Sequence, residues 1–196
     1  GGQWEHALAL LDGMRERGLE PNLVTYNVAM KACERSGKWE TCVAMLDEIR
    51  ARGLEPSVIS YNTAVTACAK HSPTLDNVLL LMNEMRRNDV GPDMVTYRTA
   101  IAACEPHRRA DDALALLDTM RRDGLEPDLA CYKLAILACE AAGAWDAALD
   151  LARARDALVD KENAMKAAMS SSNLAAAGDV EETLVAAAAW DEGSSK

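Results

Sequence analysis

The fold is decided by the stretch Gly53-Leu54-Glu55-Pro56-Ser57-Val58-Ile59-Ser60-Tyr61-Asn62. It combines a glycine suited to a helix end, a proline that interrupts a helix, a cap residue and a tyrosine. Near-copies begin at Gly18, Asp89 and Gly124, so the pattern returns about every 35 residues. A fixed period of this length, carried by turn residues, indicates a solenoid of repeated supersecondary units.

Hydrophobic spacing predicts two helices in each unit. Residues 3–17 place apolar side chains at helical intervals and form what we call a second helix. A first helix starts after each proline, because the residue that follows is a favourable N-cap. Equivalent second helices begin near Trp39, Leu75, Ala110 and Trp145, and the N-cap residues are Asn22, Ser57, Asp93 and Asp128.

Composition also favours helices. The chain has 196 residues, is 49% hydrophobic and contains no Phe, so its core is built from Ala, Leu, Val, Met and Cys.

The net charge of −10 argues weakly against bulk electrostatic binding of nucleic acid and leaves room for a local basic strip. Four of the six cysteines share one repeat position, which predicts small buried apolar residues in a reducing compartment. These are Cys33, Cys68, Cys104 and Cys139.

No catalytic or membrane motif is visible. The sequence lacks a phosphate-binding Gly-rich loop, a nucleophile elbow, a metal-ligand cluster and an apolar run of membrane-spanning length. It therefore predicts a binding module rather than an enzyme, with no cofactor, metal, membrane or small-molecule substrate. The chain opens in mid-repeat without Met, so we expect a truncated N-terminus and missing targeting information.

The repeat marks divide the chain into seven segments. No Gly-x-x-Pro follows Trp145, so the last part is expected to diverge into a cap with a more polar face. The segments are a partial repeat with the second helix only (1–22), four repeats (23–57, 58–93, 94–128 and 129–163), a degenerate capping repeat (164–190) and a disordered tail (191–196).

The unit resembles the pentatricopeptide repeat, or PPR, family. Its marks are Val24-Thr25-Tyr26-Asn27 and the later copies, together with Gly-Leu-Glu-Pro at the unit end. The resemblance covers residues 1 to about 163 and implies an all-α, right-handed α-solenoid of about five helix-turn-helix repeats, similar to tetratricopeptide arrays. It further implies that the first helices line a concave face and bind single-stranded RNA, with one base read per repeat.

The family's functional positions carry over residue by residue. The residue after the tyrosine and the last residue of the unit are expected to contact the base edge, and the second residue to pack on the base planes. The base-edge pairs are Asn27 with Ser57, Asn62 with Asp93, Arg98 with Asp128, and Lys133 with Asn163; the stacking residues are Val24, Ile59, Val95 and Ala130.

The four pairs differ in chemistry. Asn27 with Ser57 resembles a cytidine reader, and Asn62 with Asp93 a uridine reader, since an amide offers a donor and an acceptor together. Arg98 and Lys133 offer donors only and depart from the family pattern, which favours phosphate contacts or loose reading. Asn163 departs too, because no Gly-x-x-Pro precedes it.

Several alternatives remain at this point. The residues that end each unit also suit a purely structural N-cap role. The leading function is single-stranded RNA binding in processing, stability, editing or translation of mitochondrial or chloroplast transcripts. A scaffold for protein partners and the RNA-binding arm of a larger enzyme, such as protein-only ribonuclease P, are the other readings. Four units would read about four bases, which is too short for a unique target sequence, so we expect more repeats in the natural protein.

Overall fold

The computed structural model describes residues 2–168, and all regular structure among these residues is helical. This confirms the predicted all-α class. In chain order the helices are α1 (Gln3–Glu16), α2 (Leu23–Arg35), α3 (Trp39–Ala51), α4 (Val58–His71), α5 (Asp76–Arg87), α6 (Met94–Cys104), α7 (Ala110–Arg122), α8 (Leu129–Ala142) and α9 (145–168). The first helices of the repeats are α2, α4, α6 and α8, and α9 starts where the fifth second helix was predicted.

The chain divides into two units, and the boundary between them lies after Ala152. The first contains α1 to α8 and the start of α9. The second contains the rest of α9, which runs unbroken through the predicted repeat boundary at 163/164. Most of the predicted capping repeat (164–190) and all of the predicted tail (191–196) lie outside the described residues.

The predicted N-caps are confirmed. The side chains of Asn22, Ser57, Asp93 and Asp128 each accept a hydrogen bond from the backbone N–H three residues later. The turn before each cap contains a residue in the left-handed region. In the copy that lacks glycine, Asp89 takes this conformation with φ 54°, which Asp tolerates better than most residues.

Helix packing within residues 2–152 produces two unequal layers. The first helices pack against one another in sequence, α2 on α4, α4 on α6 and α6 on α8. In this part of the chain the backbones of the second helices α1, α3, α5 and α7 do not approach one another closely, and side chains such as Arg50 and Glu84 connect them instead. The first-helix layer is therefore the more closely spaced layer, which places it on the inner side of the array. The junction of α5 with α6 is less extensive than the equivalent junctions of α1 with α2, α3 with α4 and α7 with α8.

The repeated cysteines are core residues, as predicted. Cys33, Cys104 and Cys139 are fully buried and free, and Cys68 is 1% exposed. Burial raises the pKa of the Cys104 thiol to about 12, so it is protonated at neutral pH. No group of His, Cys, Asp or Glu residues suited to a metal ion occurs among residues 2–168. No helix in this range is long and apolar enough to cross a membrane.

A repeated polar cluster joins successive repeats, and the sequence did not predict it. Arg50, at the end of one second helix, donates to the hydroxyl of Tyr61 at 2.7 Å and pairs with Glu84 of the following second helix. The tyrosine hydroxyl thereby links a cation to an acid. The equivalent clusters are Arg15–Tyr26–Glu48 and Arg86–Tyr97–Asp123.

We expect Tyr61→Phe to lower the free energy of unfolding by about 1–2 kcal/mol, because it removes a buried hydroxyl bonded to Arg50. Urea denaturation measures the loss. The matched control is Tyr132→Phe, whose hydroxyl accepts from Arg121 at 3.0 Å in a more exposed setting. Its expected loss is below about 0.5 kcal/mol. Equal losses for the two variants would contradict this account of the cluster.

Candidate nucleic-acid interface

The predicted stacking residues form an exposed apolar series on the first helices. Val24, Ile59 and Val95 are 69%, 64% and 52% exposed, and Ala130 at the same position of α8 is also exposed. Each is the second residue of its helix, so the helical repeat alone places them in line. Single exposed apolar residues are ordinary, but a series at one repeat position indicates a binding surface.

The second predicted pair is brought together directly. The Nδ2 atom of Asn62 lies 3.1 Å from both carboxylate oxygens of Asp93. Burial opposes ionisation of Asp93, but hydrogen bonds from the Thr96 N–H and from Asn62 lower its pKa overall. Asp93 is therefore an ionised acceptor that caps α6 and holds the amide at the same time.

The first predicted pair is linked through a third residue. Asn27 Oδ1 accepts from Ser60 Oγ at 2.7 Å, and Ser60 Oγ lies 3.2 Å from Ser57 Oγ. Ser57 caps α4 through the Ser60 N–H. Among the hydrogen bonds of residues 2–168, the one that involves the Asn27 side chain uses its oxygen.

The third pair forms an ion pair. Arg98 Nη2 contacts Asp128 Oδ2, and this contact raises the pKa of Arg98. Burial opposes ionisation of Asp128, but hydrogen bonds from the Cys131 N–H and from Arg98 lower its pKa overall. Each charge is thus neutralised by the other, so this pair is less acidic than the Asn62–Asp93 pair.

The fourth pair differs from the other three. Lys133 is exposed on α8, at the position equivalent to Asn27 and Asn62. Asn163 lies inside α9 and is exposed, whereas the last residue of each other pair caps a helix. The N-cap geometry that fixes Ser57, Asp93 and Asp128 is therefore lacking at Asn163.

The first helices carry more positive charge than the net charge of −10 for the whole chain suggests. Glu34 is 2% exposed and forms an ion pair with Lys31 at 2.7 Å and another with Lys70 at 2.6 Å, and the second pair joins α2 to α4. These three groups carry one net positive charge. Between α4 and α6 a shallow groove is lined by Thr66, Ala69, Lys70, Arg98, Thr99, Ala102 and Ala103.

The sequence analysis did not identify two sets of buried residues that lie beneath this surface. Ser60 and Thr96 are fully buried and contact the predicted base readers Asn27 and Asn62. Their repeated hydroxyl at one unit position was visible in the sequence as a possible signal. Glu34 gave no such signal, because the equivalent residue of the next repeat is Ala69.

Family comparison agrees with the repeat geometry. A model described as the PPR repeat family matches residues 1–35 and 21–70, and a pentatricopeptide repeat domain model matches residues 80–140. Together these matches cover more than half of the chain. The chain belongs to the pentatricopeptide repeat family. The resemblance deduced from the sequence is thus confirmed.

Solved pentatricopeptide repeat proteins share the fold. The crystal structure of PPR10 from maize has 32% sequence identity and a TM-score of 0.63, and the match covers 81% of this chain. The structure of PPR10 in complex with an 18-nt psaJ RNA element has the same identity and a TM-score of 0.62, over 74% of this chain and 21% of that chain. This pentatricopeptide repeat chain spans about a fifth of PPR10, since the first match covers 22% of it.

A more distant solved structure agrees in fold. The PPR domain of Arabidopsis thaliana protein-only RNase P 1, in complex with tRNA, has 15% identity and a TM-score of 0.69. This match covers 81% of the present chain and 83% of that domain. At this identity the likeness shows the helical solenoid alone. No curated protein sequence matches the chain.

Proposed function

We propose that this pentatricopeptide repeat chain is a sequence-selective module for single-stranded RNA that reads about one base per repeat. The observation that carries the proposal is the exposed apolar series Val24, Ile59 and Val95 beside polar pairs on the same helix layer. The RNA-bound structure of PPR10, at 32% identity, supports RNA as the ligand.

The residue roles follow from their chemistry. Base planes lie against the exposed apolar side chains, where stacking is tolerant of base identity. The Asn27 and Asn62 amides meet the base edges, with Ser57 and Asp93 as their second readers. Arg98 and Lys133 donate to acceptors on the base or to phosphate, with Asp128 holding Arg98 and Asn163 as the fourth second reader. The N-cap role and the base-reading role are compatible, because Asp93 Oδ1 accepts the capping bond from the Thr96 N–H, while Oδ2 has a second lone pair besides the one that faces Asn62.

We further propose the cellular setting that the family resemblance implies. The chain acts on mitochondrial or chloroplast transcripts, in their processing, stability, editing or translation. Because its four predicted base-edge pairs read about four bases, the chain recognises part of a target sequence rather than the whole.

The test compares short pyrimidine-rich single-stranded RNA with the same sequence as a duplex and as single-stranded DNA. Fluorescence anisotropy at a stated salt concentration gives each affinity. We expect preference for single-stranded RNA, and Asn62→Ala should weaken binding about tenfold, because a base hydrogen bond and its partner on Asp93 are lost. Asn83→Ala is the control, since Asn83 is exposed on the second helix α5.

Two outcomes would overturn the proposal. Equal binding of all three nucleic acids, or an Asn62→Ala variant that binds like Asn83→Ala, would remove the base-reading assignment. A chain that serves as a scaffold for protein partners would bind all three nucleic acids weakly and without preference. An arm of a larger enzyme would keep the RNA preference.

A further inference from the structure

Two buried hydroxyls contact the proposed base readers from the following repeat. Ser60 and Thr96 are the third residues of α4 and α6, and both are fully buried. Ser60 Oγ donates to Asn27 Oδ1 at 2.7 Å, and Thr96 Oγ1 donates to Asn62 Oδ1 at 2.5 Å. Each contact crosses from one repeat to the preceding one.

The chemistry of the neighbouring groups fixes which amide atom faces which partner. The Asp93 carboxylate only accepts, so the amide atom that faces it at 3.1 Å is the Nδ2 of Asn62. The oxygen Oδ1 therefore faces Thr96. Since Oδ1 carries no proton, the Thr96 hydroxyl is the donor in this contact.

The two readers differ in how many groups hold the amide. Asn62 is held at both ends, by Thr96 and by Asp93. Asn27 is held by Ser60, and among the hydrogen bonds of the described residues none involves its Nδ2 atom. The orientation of the Asn27 amide therefore depends on the Ser60 hydroxyl.

The next repeat changes both partners together. At the position of Ser60 and Thr96, α8 has Cys131, and the preceding reader is Arg98 instead of asparagine. A thiol is a weak donor and a guanidinium has no acceptor. The hydroxyl is thus absent in the repeat where there is no amide oxygen to hold.

We propose that Ser60 is a positioning residue that sets base selectivity by turning the amide N–H group of Asn27 toward the base, and that Thr96 holds the Asn62 amide jointly with Asp93. The inference rests on the proposed function. An N–H aimed at the centre of a pyrimidine edge meets the N3 acceptor of cytosine, whereas uracil presents an N3–H there. A reversed amide would present oxygen instead and favour uracil. At Asn62 the Asp93 carboxylate supplies an acceptor for the uracil N3–H.

The decisive variant is Ser60→Ala, tested with RNAs that differ only by cytidine or uridine at the base facing Asn27. We expect the cytidine preference to fall about 3- to 10-fold, the range that one hydrogen bond supports. Ser60→Thr should preserve the preference, because Thr96 occupies the same position in α6. Thr96→Val should change selectivity at its own base less than about twofold, because Asp93 still holds Asn62.

Thr25→Val is the matched control. Thr25 is the third residue of α2 and makes the equivalent cap contacts, with its hydroxyl 2.9 Å from the Asn22 N–H and side chain. It loses the same capping interactions without touching Asn27 or Asn62. Thermal melting of each variant records the structural cost separately. If Ser60→Ala does not fold, Ser60→Cys repeats the test with the residue that α8 carries.

The outcomes separate the inference from the function. If the wild-type chain shows no cytidine preference at the first base, the proposed reading of that base fails. If the wild type shows the preference and Ser60→Ala keeps the same affinity ratio as Thr25→Val, the positioning role is overturned and the function stands.

Discussion

Asp93→Ser is expected to change the base preferred by the second repeat from uridine to cytidine. In the proposed reading, the ionised Asp93 carboxylate would accept from a uracil N3–H and would repel the N3 lone pair of cytosine. Serine removes that charge and recreates the polar pair of the first repeat, Asn27 with Ser57. The swing in the affinity ratio should reach tenfold or more, since a matched pair of base contacts supports about 1–3 kcal/mol of discrimination. Selection from an RNA pool with randomised bases measures it.

The control for this exchange is Asp128→Ser. It removes one carboxylate from the equivalent N-cap, and Ser57 shows that serine caps a first helix in this chain. Because the partner of Asp128 is Arg98, no exchange of uridine for cytidine should follow. An identical shift in both variants would mean that loss of negative charge, rather than the asparagine partner, determines the preference.

Ile59→Asp is expected to weaken RNA binding about 100-fold without lowering the melting temperature. Ile59 is 64% exposed, so the fold loses little. The complex loses apolar contact with the bases and places a carboxylate near the phosphates, together about 3 kcal/mol. Anisotropy titration and a thermal melt give the two values.

Leu80 offers a closely matched control for the stacking position. It is also 64% exposed, but it lies on the second helix α5 in the other layer. Leu80→Asp introduces the same charge and removes a similar apolar side chain, so its RNA affinity should stay within about twofold of wild type. A comparable loss in both variants would indicate a general charge effect and would remove the stacking role of Ile59.

Local sequence signals predicted the frame of the array well. The N-caps at Ser57 and Asp93, the left-handed turn residue Asp89 and the buried position of Cys104 each depend on neighbours a few residues away. The sequence predicts these features because helix propensity and residue spacing act over about one helical turn. The stacking positions were implied by the family resemblance instead; Val24, Ile59 and Val95 are exposed, and their stacking role stays a prediction.

The missed interactions connect residues about one repeat apart through side chains of different length. Arg86 reaches Asp123, whereas the two preceding clusters use Glu48 and Glu84, since Thr119 stands where the third glutamate would be. Ser60 and Asn27 meet only after two first helices have packed. Such contacts depend on the distance between helices, which a repeat period does not provide. The predicted segment boundaries and the base-reading roles stay predictions.

The reduced junction between α5 and α6 has a mechanical consequence for the bound strand. An array of stacked hairpins must match its rise to the spacing of successive nucleotides, and each neighbouring interface resists bending separately. Because α4 and α6 stay in contact while α5 and α6 meet less extensively, the outer layer is most compliant there. For a strand bound as proposed, the spacing between the bases at Asn62 and Arg98 would therefore be the easiest to stretch.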